Sequence, residues 1–348
     1  MKNYKKNYTD SRKQNSKQRN MIPFLALTLL LVIVLIAVVV FALKGKESGG
    51  NDDSQSGGDT SANVEKWQEG VIKHNGKYYK YNNKIKNYLI LGIDKDAYVE
   101  VTDSSGGGQS DAMFLLVVND ADKTMSIVSI NRNTMTDVDV YGDSGVVLHT
   151  TEAQICTQHG FGDGKHLSCK RAADAVSRLF YNLPISGYLS MQMGAIPIMN
   201  DAIGGVELEV LQDVEYGSKG VNLKAGETVK LTGDEAYAYL RARELDEFDS
   251  ATDRLKRQEQ YISCFVEQME AYTSGSKTKA LDIYESISDY IVTNIDIAGM
   301  VLELEDYEYS EQKYSVPGET HMGEVFEEYH VDDDALYDMI IELFYVEV

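Results

Sequence analysis

The stretch that most constrains this chain is the run Met21 to Leu43, MIPFLALTLLLVIVLIAVVVFAL, which holds no charged residue. More than twenty such residues in a row cover the hydrocarbon layer of a bilayer as one helix. Before the run stand Lys2, Lys5, Lys6, Arg12, Lys13, Lys17 and Arg19 against the single acid Asp10. That bias puts residues 1–20 in the cytoplasm as a basic tail, makes 21–43 a transmembrane anchor, and places the remainder outside the cell. A cleaved signal peptide is the rival, but its apolar stretch is shorter and ends in a small-x-small site. Phe41-Ala42-Leu43-Lys44 offers none, so a retained anchor is expected.

Residues 44–63 are almost free of apolar side chains and rich in Gly, Ser and Asp, the composition of a flexible tether. From Val64 apolar and aromatic residues return and the globular part, 64–348, begins; the chain can bury one sizeable core and at most a minor second one. The formal net charge of the whole chain is −22 although residues 1–44 are basic, so the exported part is strongly acidic. Acidity of this kind keeps a domain soluble and by itself names no ligand. No nucleic-acid partner is expected. His74-Asn75-Gly76-Lys77, set between aromatic-rich runs, signals a tight hairpin.

Leu89-Ile90-Leu91-Gly92-Ile93-Asp94 reads as a buried strand that delivers Asp94 at its C-terminal end. A glycine-rich loop follows, then Ser110-Asp111 opens a second apolar run, and Met125 to Ile130 forms a third that ends at Arg132. Two carboxylates at strand edges can share a hard divalent cation, or each can simply cap its own strand. Cys169 to Phe180 and Ala335 to Phe344 carry helical apolar spacing, and Thr232-Gly233-Asp234-Glu235 fits a capping box. Met191, Met193, Ile196, Ile198 and Met199 are core in the simplest reading, although flexible Met side chains also suit a lipid groove.

Arg241, Arg243, Arg254 and Arg257 fall within seventeen residues of this acidic chain. The planar guanidinium fork matches phosphate and carboxylate oxygens. Four such forks converge if the exit from the helix at Arg243 is extended and Arg254 and Arg257 share a helix face. The plainer alternative is pairing with the neighbouring acids Glu244, Asp246, Glu247, Asp249 and Asp253. Of the three thiols, Cys156 and Cys169 bracket a glycine-rich loop, and a disulfide between them is the first expectation for an exported domain. With His159 and His166 the same pair also has the ligand types of a zinc site.

In their order, Leu89 to Asp94, Ser110-Asp111, Ser129 to Thr134, Asn200 to Val206, Leu231 to Ala236, Leu240 to Arg243 and Arg254 to Gln258 resemble the LytR-CpsA-Psr proteins. Those are membrane-anchored enzymes that attach anionic glycopolymers to bacterial cell walls. The resemblance is strongest over 85–265. It implies an α/β (α+β) fold, with a central mixed β-sheet flanked by helices and an apolar groove for lipid. The implied donor is a polyprenyl-pyrophosphate-linked glycopolymer, the acceptor a peptidoglycan hydroxyl, and the cofactor Mg²⁺ (or Mn²⁺) on Asp94 and Asp111. Arg132, Arg241, Arg243, Arg254, Arg257 and Gln258 match the pyrophosphate-facing groups. Asp94, Asp111, Arg132 and Arg243 are the expected catalytic set, with Asp94 or Asp111 as general base.

Three positions depart from that pattern. Gln109 stands where the family usually has Arg, Asn133 where Asp often follows the arginine, and Ala251 where Asp often precedes Arg254 by three. The competing expectation is a non-enzymatic envelope module that binds prenyl phosphates, and a third is a plain phosphatase with water as acceptor.

Overall fold

Apolar runs too short for helices and rich in branched residues become neighbouring strands, and they form the centre of the molecule. The computed structural model describes residues 70–348 except 103–105, 143, 243–249, 274–276, 297–299, 301–303, 305–306, 311 and 313. The anchor, the tether and Arg243 therefore lie outside the described residues. Among the described residues no helix is long and apolar enough to cross a membrane.

The chain enters by the hairpin β1 (Val71–His74) and β2 (Lys77–Tyr81). Asn75 and Gly76 make its turn with φ of 48° and 81°, the left-handed pair that matches the twist of a two-residue hairpin. Next come β3 (Ile85–Ile93), β4 (Ser110–Asn119) and β5 (Thr124–Ile130), with β4 antiparallel to both β3 and β5. The hairpin β6 (Met135–Tyr141) and β7 (Val147–Gln154) leads into α1 (His166–Leu179) and then β8 (Gly187–Gln192), which lies parallel to β3. After α2 (Ala195–Ala202), the short strands β9 (Val206–Glu209), β10 (Val214–Tyr216), β11 (Val221–Leu223) and β12 (Thr228–Leu231) pair as β9 with β12 and β10 with β11.

Helix α3 (Gly233–Arg241) begins at the expected capping box: Thr232 Oγ1 accepts from the Glu235 N–H, and Glu235 Oε2 accepts from the Thr232 N–H at 2.8 Å. A cap of this kind stabilises a helix by about 1 kcal/mol. Two further helices follow, α4 (Ser250–Thr273) and α5 (Lys277–Ile287). Strands β13 (Ile291–Thr293), β14 (Glu308–Tyr309) and β15 (Tyr314–Ser315) complete the central sheet in the order β13-β8-β3-β4-β5-β14, with β15 also on β5. Parallel and antiparallel pairings coexist, so the sheet is mixed as expected. The hairpin β16 (Gly318–Met322) and β17 (Glu327–Val331) precedes α6 (Asp333–Phe344), and β18 (Tyr345–Glu347) returns to pair with β2.

Alternation along β3 separates two cores. Leu89, Leu91 and Ile93 pack with Ala172 and Val176 of α1 and with Leu336, Ile340 and Phe344 of α6. Ile90 and Gly92 face the other way, toward α2, α4 and α5. A second apolar cluster joins α2, α3 and α4 to β9–β12 through Ile196, Val206, Leu231, Tyr239 and Phe265.

Candidate functional site

At one end of the sheet, the loops after β3 and β5 and the start of β4 meet the ends of α3 and α4. Asp111, the second residue of β4, is the anchor of the group. Its Oδ1 lies 3.0 Å from Arg132 Nε, and its Oδ2 accepts from Arg254 Nη1 at 3.0 Å. The Asp111 and Arg254 side chains are only 9% and 5% exposed, so their pairing compensates charge where water is scarce. Residues 143 apart in sequence thus share one buried ion cluster.

Asp94 directly follows β3, its N–H held by Gln109 O at 2.9 Å. Its Oδ1 lies 2.6 Å from Arg241 Nη2, and Arg241 Nη1 reaches Asp96 Oδ1 at 3.4 Å. Nη1 also donates to the Tyr237 hydroxyl, one turn back on α3, and that hydroxyl donates to Asp96 Oδ1 at 2.5 Å. Burial opposes the Arg241 charge, but Tyr237 and Asp94 outweigh it and hold its pKa above the ordinary value. Burial first and then Asp96 push the Tyr237 hydroxyl up, so it stays a donor. No motif in the sequence singles out Asp96 or Tyr237. An acid two residues after Asp94 was the available signal.

The arginines do not all face the same point. Arg257 Nε donates to Tyr239 O at 2.9 Å, Nη1 to Gln212 Oε1 at 2.8 Å, and Nη2 to Ala242 O. It braces the exit of α3, the segment leading to Arg243, and does not reach either carboxylate of the site in these bonds. Gln258 Nε2 similarly donates to Leu240 O at 3.3 Å. Of the neighbouring acids, Glu244, Asp246, Glu247 and Asp249 lie outside the described residues, and Asp253 binds Lys256 at 2.9 Å.

Arg132 leaves the end of β5 and is held on three sides. Besides Asp111, its Nη2 lies 3.1 Å from Cys156 Sγ and donates to Gln109 Oε1. Burial works against its charge, yet Cys156, Asp111 and Asp94 raise its pKa above the usual arginine value. The expected disulfide is corrected here, because Cys156 and Cys169 are both free. Their sulfurs face different partners: Cys169 Sγ donates to Ser190 Oγ at 3.2 Å and lies 3.8 Å from His159 Nε2, while Cys156 faces Arg132. The zinc arrangement is not assembled either, since His166 Nδ1 pairs with Tyr188 Oη and His159 Nδ1 with Gly108 O. Asn133 is fully buried between Gln154 and Glu327 and belongs to the β6–β17 contact.

Below the charged group lies an apolar cavity of about 220 Å³ between the sheet and helices α2, α4 and α5. Ile90, Phe114, Leu189, Met191, Ile262 and Tyr284 line it, and Asp111 and Gln258 are its polar end. The Met-rich segment of the sequence reading contributes Met191, Met193 and Met199 to this wall. Among the described residues no three metal-ligating side chains come together. Asp94 Oδ1 and Asp111 Oδ1 are nevertheless buried oxygens that accept no directed hydrogen bond, despite the guanidinium groups at ionic distance. Two carboxylates with open lone pairs suit Mg²⁺, which completes its shell with water and phosphate oxygens.

Fold and site together define an α/β protein whose apolar cavity ends in a cluster of guanidinium and carboxylate groups. The LytR_cpsA_psr family model matches residues 40–341, and the chain belongs to that family. A polyisoprenyl-teichoic acid–peptidoglycan teichoic acid transferase TagU from Halalkalibacterium halodurans is 28% identical over 214 residues, 61% of this chain and 62% of the relative. The chain thus spans somewhat under two thirds of that relative's length. TagV of B. subtilis superposes with a TM-score of 0.55 at 22% identity, covering 75% of this chain and 96% of that one. TagT bound to LI-WTA gives 0.53 at 21%, covering 75% and 90%. At these identities the structural likeness is one of fold.

Proposed function

We propose that the protein is a phosphotransferase that moves an anionic glycopolymer from a polyprenyl-pyrophosphate carrier to a peptidoglycan hydroxyl at the outer face of the cell membrane. The observation that carries this reading is the continuity between the apolar cavity and Asp111 with its two arginines. A prenyl chain in the cavity sets its pyrophosphate among Arg132, Arg241 and Arg254. The name of the TagU relative and the ligand of the TagT structure support the same substrate class. A retained anchor at 21–43 would keep the domain within reach of its lipid substrate.

In this reading the acceptor oxygen attacks the sugar-linked phosphorus. The bond from that phosphorus to the bridging oxygen breaks, and the electron pair leaves with polyprenyl phosphate. Arg254 and Arg132 sit on a buried carboxylate, so they are oriented before substrate arrives, and their charge is exerted where water is scarce. The acceptor's proton passes to a site carboxylate. Asp94, 34% exposed against 9% for Asp111, is the one an acceptor hydroxyl can reach. Mg²⁺ or Mn²⁺ held by Asp94 and Asp111 would supply positive charge to the pyrophosphate oxygens.

The test is transfer from a polyprenyl-linked donor by Arg254→Ala and Asp94→Asn chains that keep the wild-type fold by circular dichroism. Losses of about 10²-fold or more are expected, as for other groups that stabilise a transition state. Undiminished transfer in both variants would contradict the mechanism.

A further inference from the structure

Past Arg241 the surface of the site becomes aromatic. Tyr98 is 58% exposed, and its ring centroid lies 4.8 Å from that of Tyr290. Two residues earlier the Asp96 side chain is 65% exposed. That carboxylate is nonetheless fixed, by the Tyr237 hydroxyl at 2.5 Å and by Arg241 Nη1 at 3.4 Å. The backbone beneath it is packed just as closely. A Cβ at Gly194 would collide with Asp96 O and would lie 2.6 Å from Tyr290 Cε1. Val99 N–H donates to Asp289 O at 2.8 Å, which ties the Tyr98 loop to the turn bearing Tyr290.

A single exposed tyrosine is ordinary. Here an exposed ring is backed by a second ring and stands beside an open carboxylate held by two donors, and three separate chain segments build it. A pyranose matches that pairing, because its C–H face lies on an aromatic ring while its hydroxyls donate to the carboxylate. Tyrosine supplies such contact area at low entropic cost. Arg241 joins this patch to the phosphate site, since one guanidinium touches both Asp94 and Asp96.

We infer that Tyr98 and Asp96 form a saccharide subsite on the outer side of Arg241, which receives a pyranose adjoining the transferred phosphorus. This rests on the transferase reading above and deepens it. The sugar belongs either to the donor, as the first residue of its polymer, or to the acceptor glycan, and the chemistry of recognition is shared.

The test uses the full chain in detergent with Tyr98→Ala and Tyr98→Phe. Three quantities are measured: affinity for polyprenyl pyrophosphate without sugar, affinity for polyprenyl pyrophosphate carrying a disaccharide, and binding of a soluble peptidoglycan glycan fragment. Tyr98→Ala is expected to weaken one of the two sugar-bearing ligands by about tenfold, the scale of one lost aromatic contact. Affinity for the sugarless lipid stays unchanged and Tyr98→Phe restores binding. Loss in the lipid disaccharide assigns a donor sugar, and loss in the glycan fragment assigns an acceptor sugar. An unchanged affinity for both, or an equal loss for the sugarless lipid, overturns the subsite. Failure of the wild-type chain to bind any polyprenyl ligand speaks against the transferase reading, and the glycan arm still decides the subsite.

Discussion

Arg132 Nη2 lies 3.1 Å from the sulfur of Cys156, and the same nitrogen donates to Gln109. Burial pushes the Cys156 thiol above its ordinary pKa, with Arg132 opposing that rise, so the sulfur acts as a neutral acceptor for the guanidinium. Gln109 thereby gives Arg132 an orienting contact. Gln109→Ala is expected to reduce kcat about tenfold with little change in donor KM, because it loosens Arg132, still held by Asp111 and Cys156, without removing it. Cys156→Ser should retain more activity than Cys156→Ala, since the hydroxyl still accepts. Steady-state kinetics of the three variants check the order.

Removal of Asp111 takes from two covered guanidinium groups the carboxylate they share. Asp111→Ala is expected to destabilise the domain by about 3 kcal/mol, the scale of a broken buried pair. Inorganic pyrophosphate should raise the melting temperature of this variant more than that of the wild type, by replacing the lost negative charge. Equal shifts in the two proteins would contradict the arrangement of Arg132 and Arg254 around Asp111.

His159 gives a pH dependence with a definite sign. Burial lowers its pKa from 6.5 to about 4, against backbone contacts to Gly108 and Gly107 that favour the charged ring. The unfolded chain therefore binds the proton first as pH falls. The contribution of this residue is fully present above about pH 6.5 and is lost progressively down to about pH 4, up to about 3 kcal/mol in all. Chemical denaturation at pH 7 and pH 5 should show the loss, and His159→Gln should flatten it. An identical pH dependence in that variant would contradict the assignment.

Much of the scaffold is readable because its signals are local. Alternating or continuous apolar runs mark β3, β4 and β5, Asn75-Gly76 marks the first turn, and Thr232 with Glu235 marks the start of α3. The run from Met191 to Met199 reads as undivided core, since apolar periodicity does not separate β8 from α2 when each is buried on its inner side. The site is harder because its partners are remote. Tyr237 and Asp96 are 141 residues apart, and nothing local in either announces the contact. Arg257 matches the arginine pattern, yet its donors hold the carbonyls of Tyr239 and Ala242. Cysteine spacing carries no direction, so bracketing a loop did not reveal that Cys156 faces Arg132 and Cys169 faces Ser190.

The cavity can be tested without touching a charge. Ala112 lines it immediately beside Asp111, at the polar end. Ala112→Phe places a ring where the first units of a prenyl chain would run. The expected result is at least a tenfold fall in transfer from a long-chain donor, with a melting temperature equal to or above wild type because the added ring fills empty apolar space. Unchanged transfer would place the lipid elsewhere.

In the proposed reaction lipid-linked phosphate is turned over onto a sugar hydroxyl rather than merely held. The most direct measurement follows a donor labelled in both the prenyl chain and the polymer, incubated with the wild-type chain, peptidoglycan and Mg²⁺. Equimolar appearance of polyprenyl phosphate and peptidoglycan-linked polymer is expected, and neither product with Arg254→Ala. Tight donor binding with no polyprenyl phosphate released, or release matched only by free polymer in water, would contradict it.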